Sequence, residues 1–441
     1  MRVSSICGTL VLAALSASAL APASAPAQEA GPRAITLDEA VRLAQQNSPS
    51  TVQARNALRV GRINVANSLA QFLPNLGLQS NASNTNRGQF IQGKFTPYTG
   101  DPWNYNKGYG LNLTIFDAGQ RYFNYRSAQF TQEANAESEL LQRFTVALNV
   151  KTQYFLVLAA RETEAAAQRQ LEQADQGLKV TAARVRAGSM IHTDSLRSAI
   201  AVGTAKLAII NAQNSLRSAN ASLTRLVASP TEVTAVASDT SDVPRLDVDS
   251  AAFLKLADQG PLVRQAAATL TANRAARRAL VTPYLPTVSG FYQYFTSKSS
   301  PNFDWGAGPA SPGTTYGFSL NWTLFNNLNR EVNLTTATVA EDNAEASQRD
   351  ARLAARESLA LYLGAFRTAQ QTIELQLLQI AAAEDDFRAQ TQRFSLGSSS
   401  LLDVLTAQST LDTARTALIT ARLQARTAKA QLEALVGREL Q

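Results

Sequence analysis

The sequence has a single histidine, His192, and a single cysteine, Cys7, among its 441 residues. This scarcity excludes most zinc sites, thiol chemistry and histidine-based acid–base catalysis. No carboxylate pair, Ser-His-Asp set or phosphate-binding loop stands out in the sequence either. We therefore expect a protein that is not an enzyme and that binds no cofactor and no metal.

Charged residues are also scarce, at 17%, and the formal net charge of +7 is modest. The basic residues are spread along the predicted helices and form no patch with interleaved aromatic residues, so we expect no nucleic-acid partner. An alanine-rich composition with so few charges suits long packed helices better than a disordered chain.

Long apolar runs are missing after Gln28. A membrane helix needs about 18 such residues, so the sequence predicts none. Before this point, Arg2, the apolar stretch Val3 to Leu20 and the small residues Ala25-Pro26-Ala27 have the order of a cleaved secretory signal peptide, residues 1–27. An exported chain without a membrane helix is either soluble in the periplasm or a β-barrel protein of the outer membrane.

The chain contains an internal duplication with an offset of about 209 to 212 residues. Matching anchors occur in the same order in both halves: Pro49 and Pro261, Leu73-Pro74 and Leu285-Pro286, Arg121 and Arg330, Gly188-Ser189 and Gly397-Ser398, and Leu226-Val227 and Leu435-Val436. We predict a first repeat over residues 28–228, a polar linker over 229–246 and a second repeat over 247–441.

Each repeat is predicted to contain a very long helix, a tight turn and a second helix. Residues 120–185 and 329–394 contain no proline and one glycine each, and roughly 66 helical residues would span about 100 Å. The following helices, about 194–228 and 400–436, repeat apolar residues every seven positions, with alanine on one side of the seam. This pattern indicates a close-packed coiled coil, although a soluble rod would explain it equally well.

Four strands are predicted, in two pairs, at about residues 76–87 with 105–116 and 287–297 with 315–325. The second strand of each pair alternates between apolar and polar residues, which is typical of a strand in a membrane barrel. Its predicted lipid-facing residues are Leu111, Leu113, Ile115, Phe318, Leu320, Trp322 and Leu324. A soluble sandwich is the alternative, but no other strand-like segments remain to form its second sheet.

The loops between paired strands, at about residues 81–104 and 297–314, are rich in glycine, proline, asparagine and serine. They also carry aromatic residues, namely Tyr98, Trp103, Phe303 and Trp305. These rings would either close the outer mouth of a barrel or lie at the lipid boundary.

Four amphipathic strands have open edges, and open edges cannot face lipid. Two subunits would give eight strands and a barrel filled by its own side chains, whereas three would give twelve strands and a lumen. Cyclic three-fold symmetry is the economical solution. The expected fold class is therefore mainly α with membrane β: a long helical-hairpin coiled-coil barrel, joined to four strands of a twelve-stranded trimeric β-barrel.

The mature chain resembles the TolC family of outer-membrane efflux proteins over essentially its whole length. The resemblance is carried by the duplicated order, by Leu-Pro before the first strand of each pair, by Leu113 to Asp117 and Phe325-Asn326 after the second, and by the two Gly-Ser turns. It implies a homotrimer in outer-membrane lipid with a helical tunnel in the periplasm. It also implies a periplasmic adaptor protein and an inner-membrane pump or ABC exporter as partners.

By the same resemblance, the turns after the two long helices form the periplasmic tip of the tunnel. The residues that would dock the adaptor there are Gly188, Ser189, Gly397 and Ser398. Asp194 and Asp403 match tip aspartates that gate or ring the pore in some members. Helix capping is the alternative role, above all for Asp403, which follows Ser400 by three residues.

Some members carry a basic residue shortly after the second tip glycine that holds the pore shut. This chain has Ser398-Ser399-Ser400 there, so Arg184 and Arg393 remain as gate candidates. Both arginines also have an ordinary interpretation, as favourable charges near a helix C-terminus.

We therefore expect the outer membrane channel subunit of a tripartite efflux system, a passive duct that exports small molecules. The outer membrane duct of a type I protein secretion system would have the same fold and is the first alternative. A periplasmic coiled-coil scaffold without a pore is the alternative from a different class.

Overall fold

The computed structural model describes residues 32–85, 88–91, 93–96, 100–236 and 250–440. The predicted signal peptide, Tyr98 and the part of the predicted linker after residue 236 lie outside these ranges. The described residues form long helices, one four-stranded sheet and two small two-stranded sheets.

The two repeats have the same plan. The elements of the first are β1 (Arg33–Ile35), α1 (Leu37–Asn47), α2 (Pro49–Ala70), β2 (Asn75–Asn84), β3 (Gln89–Ile91), β4 (Lys94–Thr96), β5 (Trp103–Phe116), α3 (Gln120–Arg186) and α4 (His192–Val227). Strand β6 (Val233–Ala235) lies in the linker, and the second repeat contains α5 (Ser250–Ala257), α6 (Pro261–Ala279), a 3-10 turn (Thr282–Tyr284), β7 (Thr287–Ser300), β8 (Ser311–Asn321), α7 (Asn329–Ser395) and α8 (Leu401–Val436).

The long helices lie within two residues of their predicted bounds, but the strand predictions differ from the structure in two respects. Strand β8 was expected at 315–325, whereas it begins at Ser311 and ends at Asn321. Pro312 and Gly313 suggested a loop, yet an edge strand tolerates proline because one side of its backbone has no partner strand. The predicted linker also contains β6, and the first predicted loop contains β3 and β4.

The helices α3 and α7 each have 67 residues, and α4 and α8 each have 36. At about 1.5 Å per residue the longer pair spans about 100 Å. Most of the seven-residue seam predicted from the sequence is buried in both hairpins, and the rest of it is half-buried. Its buried residues are Val202, Ala205, Ala212, Ala219 and Leu223 in α4, and Ala407, Leu411, Ala414, Leu418, Ala421, Ala425, Ala428 and Leu432 in α8.

The four long helices stand side by side. Helix α3 packs against both α4 and α8, and α8 packs against α7, so the order across the layer is α4–α3–α8–α7. Large apolar side chains stay exposed on the two outer helices, among them Ile200, Leu207 and Ile210 on α4 and Leu353, Leu361 and Leu375 on α7. A single subunit therefore leaves the two outer helices of this layer, α4 and α7, with uncovered apolar side chains.

The main sheet has the strand order β2-β5-β7-β8, with antiparallel pairing throughout. Strands β2 and β8 are its two edges within the subunit. No helix in the described ranges has both the length and the apolar character that a membrane span needs.

A small core lies beside the long helices where β1 pairs in parallel with β6. Tyr154 of α3 is fully buried there, and its hydroxyl donates to the Ile35 carbonyl at 3.1 Å and accepts from the Val236 amide at 3.2 Å. This tyrosine ties the long helix to the segment that connects the two repeats.

An arginine clamps each junction between the sheet and a long helix. Arg330 of α7 donates to the carbonyls of Thr323 at 2.8 Å and Leu324 at 2.9 Å, and its guanidinium lies 4.7 Å from the Tyr284 ring centre. Its counterpart Arg121 donates to Asp117 at 2.7 Å and lies 5.1 Å from the Phe72 ring centre. The equivalent arginines of the two repeats therefore hold the chain in place where it turns from strand to helix.

Candidate functional site in the sheet and at the helical tips

One face of the four-stranded sheet, which we call the apolar face, carries the large hydrophobic side chains. They are Leu76, Leu78, Tyr109, Leu111, Leu113, Tyr292, Tyr294, Tyr316, Phe318 and Leu320, which share a face through the strand register. Leu78 is 85% exposed and Phe318 is 80% exposed, so nothing in the described subunit covers the middle of this face.

The predicted lipid-facing residues fall into two groups. Leu111, Leu113, Phe318 and Leu320 lie on the apolar face by register, and Ile115 lies beside Gly290 on the same face. Contact of these residues with lipid stays a prediction.

Trp322 and Leu324 instead follow the end of β8 and are not part of the strand. Trp322 is 54% exposed, and its indole N–H donates to the Tyr284 carbonyl at 3.3 Å. The early end of β8 thus moves both residues from the strand to the junction between sheet and helices.

The opposite, polar face of the sheet carries glycine, serine, threonine, asparagine and glutamine, together with two phenylalanines. Phe291 pairs with Gly317 and Phe295 with Gly313. A Cβ atom added to Gly317 would lie 3.1 Å from Phe291 Cζ, so the ring extends over the neighbouring glycine. The two phenylalanines alternate with tyrosines of the apolar face, and this explains why β7 lacks a clean apolar–polar period.

Aromatic residues of the β7–β8 loop pack at the end of the sheet away from the helices. The Phe303 ring centre lies 4.8 Å from that of Trp103 and 4.9 Å from that of Trp305. The Tyr105 hydroxyl accepts from the Asp304 amide at 2.9 Å. Because Tyr105 lies on the same side of β5 as Tyr109, the loop covers only the outer end of the apolar face.

The two helical tips have nearly the same backbone geometry. The first tip turn, residues 187–191, contains Gly188 with φ +73°, and the second, residues 396–400, contains Gly397 with φ +77°. A Cβ atom at either glycine would meet no atom within 4 Å. The positive φ explains the glycines locally, and the open space around them makes both turns accessible.

Arg184 and Arg393 occupy equivalent positions in α3 and α7 but differ in their contacts. The Arg184 guanidinium donates to the carbonyls of Phe394 at 3.0 Å and Ser395 at 3.3 Å, and it lies 4.8 Å from the Phe394 ring centre. The Arg393 side chain is exposed and has no hydrogen-bond partner among the described residues. Arg184 therefore joins the two hairpins of one subunit.

The two tip aspartates also differ. Asp403 forms a capping box with Ser400: it accepts from the Ser400 amide at 2.9 Å, and its own amide donates to the Ser400 hydroxyl at 3.2 Å. Hydrogen bonds from the side chain and backbone of Ser400 hold the pKa of Asp403 below its usual value. Asp194 forms an ion pair with Arg197 at 3.6 Å. The structure thus supports the capping role for Asp403, whereas pore gating by either aspartate stays a prediction.

No group of metal-binding side chains is present in the described ranges.

The contact of Arg184 with α7 was not foreseen from the sequence. The arginine-glycine-serine spacing found in both repeats was a signal for its position, but the acceptors lie 210 and 211 residues away.

The chain matches the sequence profile of the family "Outer membrane efflux protein" over residues 40–229 and 255–438. The two matched segments correspond to the two repeats found by internal comparison. Sequence comparison with curated proteins gives no match.

Solved structures share the fold at low sequence identity. The CmeC outer membrane channel of Campylobacter jejuni superimposes with a TM-score of 0.78 at 16% identity, covering 91% of this chain and 85% of that one. VceC of Vibrio cholerae gives 0.75 at 17% identity, covering 92% and 97%. The open MtrE outer membrane channel of Neisseria gonorrhoeae gives 0.75 at 20% identity, covering 92% and 89%.

These likenesses confirm the predicted fold class, in which a duplicated, mainly helical subunit contributes four strands to a twelve-stranded trimeric barrel and long hairpins to a helical tunnel. The resemblance stated from the motifs is likewise confirmed. The chain belongs to the outer membrane efflux protein family.

Proposed function

We propose that this chain is the outer membrane channel subunit of a tripartite efflux system. Three copies would form a passive duct across the outer membrane and periplasm, and an adaptor and an inner-membrane pump would deliver small molecules to it. The observation that carries the proposal is a four-stranded sheet with an uncovered apolar face and two unpaired edges, β2 and β8.

The sheet edges are compatible with closure by copies of the same chain. Four antiparallel strands alternate in direction, so β2 and β8 run in opposite directions and β8 of one copy can pair antiparallel with β2 of the next. Leu78 of β2 and Tyr316 of β8 lie on the same face, so this pairing continues the apolar face around the barrel. All backbone groups of the strands then have partners, as a bilayer requires.

The helical layer supports the same arrangement. Its outer helices, α4 and α7, carry exposed apolar residues that include Leu207 and Leu361. In a ring of copies, α7 of one subunit contacts α4 of the next. The duplication makes α7 equivalent to α3 and α4 equivalent to α8, so this contact is equivalent to the one that α3 makes with α8 inside the subunit. Twelve helices would then extend the tube below twelve strands.

The oligomeric state and the pore are tested together. We expect the mature chain to fractionate with the outer membrane, to have the mass of a trimer by light scattering in detergent, and to give discrete conductance steps in planar bilayers. Recovery as a water-soluble monomer in the periplasm would contradict the proposal. Loss of drug efflux, with normal protein secretion, in a deletion strain would support small molecules as the cargo.

The tip glycines Gly188 and Gly397 are proposed to dock the adaptor. Asparagine tolerates a positive φ better than most residues, so Gly188→Asn with Gly397→Asn adds bulk at the tips with little backbone strain. We expect trimers of normal mass but impaired adaptor-dependent export. Gly93→Asn is the matched control, since Gly93 has φ +77° and open surroundings at the far end of the molecule. Equal export by both variants would exclude the docking role.

A further inference from the structure

A cleft of about 870 Å³ lies in the first repeat, where α2 and α3 meet the polar face of the sheet. The end of α2, the start of α3 and parts of β2, β5 and β7 form its walls. Asn112, Thr114 and Ser289 line it, and all three belong to the polar face by register. Since this face lines the lumen of the duct proposed above, the cleft opens into the wall of the duct at the junction of barrel and tunnel.

Six carboxamide side chains line the cleft, and none of them has a hydrogen-bond partner among the described residues. They are Asn67, Gln71, Asn75, Asn112, Gln120 and Asn124. Each carboxamide can both donate and accept hydrogen bonds, as a hydroxyl group does. The set therefore matches a solute that carries several hydroxyl groups side by side.

The cleft has no net charge. Its two charged lining residues, Asp117 and Arg121, form an ion pair at 2.7 Å. The Asp117 carboxylate also accepts from the Gly119 amide at 3.1 Å, and the Arg121 guanidinium donates to the Gln71 carbonyl at 3.4 Å. Both charges are thus engaged within the fold, and a charged solute finds no free ion partner.

Aromatic residues are absent from the described residues that line the cleft. A flat apolar solute therefore finds no ring on which to stack. Together with the balanced charge, this leaves the free carboxamides as the groups that decide which solute binds.

The second repeat shows that the fold does not require these carboxamides. Three of the six are replaced there, by Ala279, Pro283 and Thr287. Two other counterparts have partners of their own: Asn321 accepts from the Thr323 hydroxyl at 3.4 Å, and Asn329 donates to the Asn326 carbonyl at 2.8 Å.

The junction arginines, in contrast, make the same contact in both repeats. Arg330 donates to the Pro283 carbonyl at 3.3 Å, as Arg121 does to the carbonyl of Gln71. The arginines therefore hold each junction, whereas the free carboxamides are peculiar to the first repeat and available to a ligand.

We propose that this cleft binds a neutral, hydroxyl-rich solute of the carbohydrate type. The inference rests on the trimeric duct proposed above and names one class of cargo for it. A volume of about 870 Å³ lies within the range of ligand pockets, about 300–1,000 Å³. Because water competes for every carboxamide, each hydrogen bond adds little affinity, and the solute is released again.

The test measures binding of the neutral trisaccharide raffinose to purified trimers by saturation-transfer NMR. The detergent is an amine oxide, because sugar-headed detergents would compete for the cleft. Asn67→Ala on α2 and Asn124→Ala on α3 should each weaken binding by about two- to tenfold, the range for one neutral hydrogen bond. Asn333→Ala is the matched control, because Asn333 is the counterpart of Asn124 in the second repeat and lies outside the cleft. It should leave the affinity unchanged.

A polyethylene glycol of the same mass separates hydrogen bonding from size. It accepts hydrogen bonds along its length but donates them only at its ends, so we expect it to bind more weakly than raffinose. Raffinose should also cause brief current blockades in single trimers in planar bilayers, and fewer in the double variant Asn67→Ala with Asn124→Ala.

Two results would overturn the cleft as a carbohydrate site. One is raffinose binding no better than the glycol, and the other is equal affinity of the double variant and Asn333→Ala. Conducting trimers that bind no raffinose would count against this inference alone. Absence of trimers or of any conductance in the unmodified protein would instead contradict the proposed function.

Discussion

Leu78→Arg tests whether the apolar face of the sheet meets lipid. Leu78 lies near the middle of β2, pairs with Tyr109 and is 85% exposed in the subunit. In water, arginine at so exposed a position would change the free energy of unfolding little. In a bilayer, arginine facing lipid near the midplane costs about 2–4 kcal/mol per copy, and three copies multiply this to about 6–12 kcal/mol per trimer.

The measurement is equilibrium unfolding of the protein in lipid vesicles, alongside the yield of assembled trimers in the outer membrane. Gln79→Arg is the control, because Gln79 is the next residue along β2 and lies on the polar face, opposite Gly108. We expect Gln79→Arg to assemble almost normally and Leu78→Arg to fail or to unfold much more easily. The reverse ranking, or equal stability of both variants, would refute the assignment of the two faces.

Three further substitutions test other parts of the structure. Arg330→Lys keeps the charge but loses the fork that reaches the Thr323 and Leu324 carbonyls, so we expect chemical denaturation to show a loss of about 1 kcal/mol. Tyr154→Phe removes a buried hydroxyl with two partners and should cost about 1–3 kcal/mol by the same measurement. Asp403 has a lowered pKa, so its capping contribution is present above the ordinary carboxyl pKa and is lost as the pH falls through the lower folded-state value. Hydrogen exchange at the start of α8 should follow this pH dependence, and Asp403→Asn should abolish it.

The sequence predicted the long helices well because their signals are local and repeated. Proline is absent from α3 and α7, and the alanine seam that faces each partner helix recurs every seven residues. The glycines at the two tips marked the ends of the long helices, and both have the positive φ that a chain reversal needs.

The strands were harder to predict because their signals depend on neighbouring strands. In β7, Phe291 and Phe295 interrupt the apolar–polar alternation. The reason becomes visible only in the sheet, where Gly317 and Gly313 of β8 lie opposite the two rings. The three residues of β6 are too few to show a period, and they form a strand because β1 lies beside them. The contact of Arg184 with α7 joins residues far apart in the chain, so no local pattern could reveal its acceptors.

The phenyl rings over glycine affect the width of the passage that a closed barrel would enclose. A ring that rests on a neighbouring glycine fills the space of the missing side chain, and the inner wall stays thin. If Gly317 became alanine, the new methyl group would lie 3.1 Å from Phe291 Cζ, and the ring would have to move. The shift needed is a few tenths of an ångström per ring, and a shift away from the sheet in all three subunits would narrow the passage at three points.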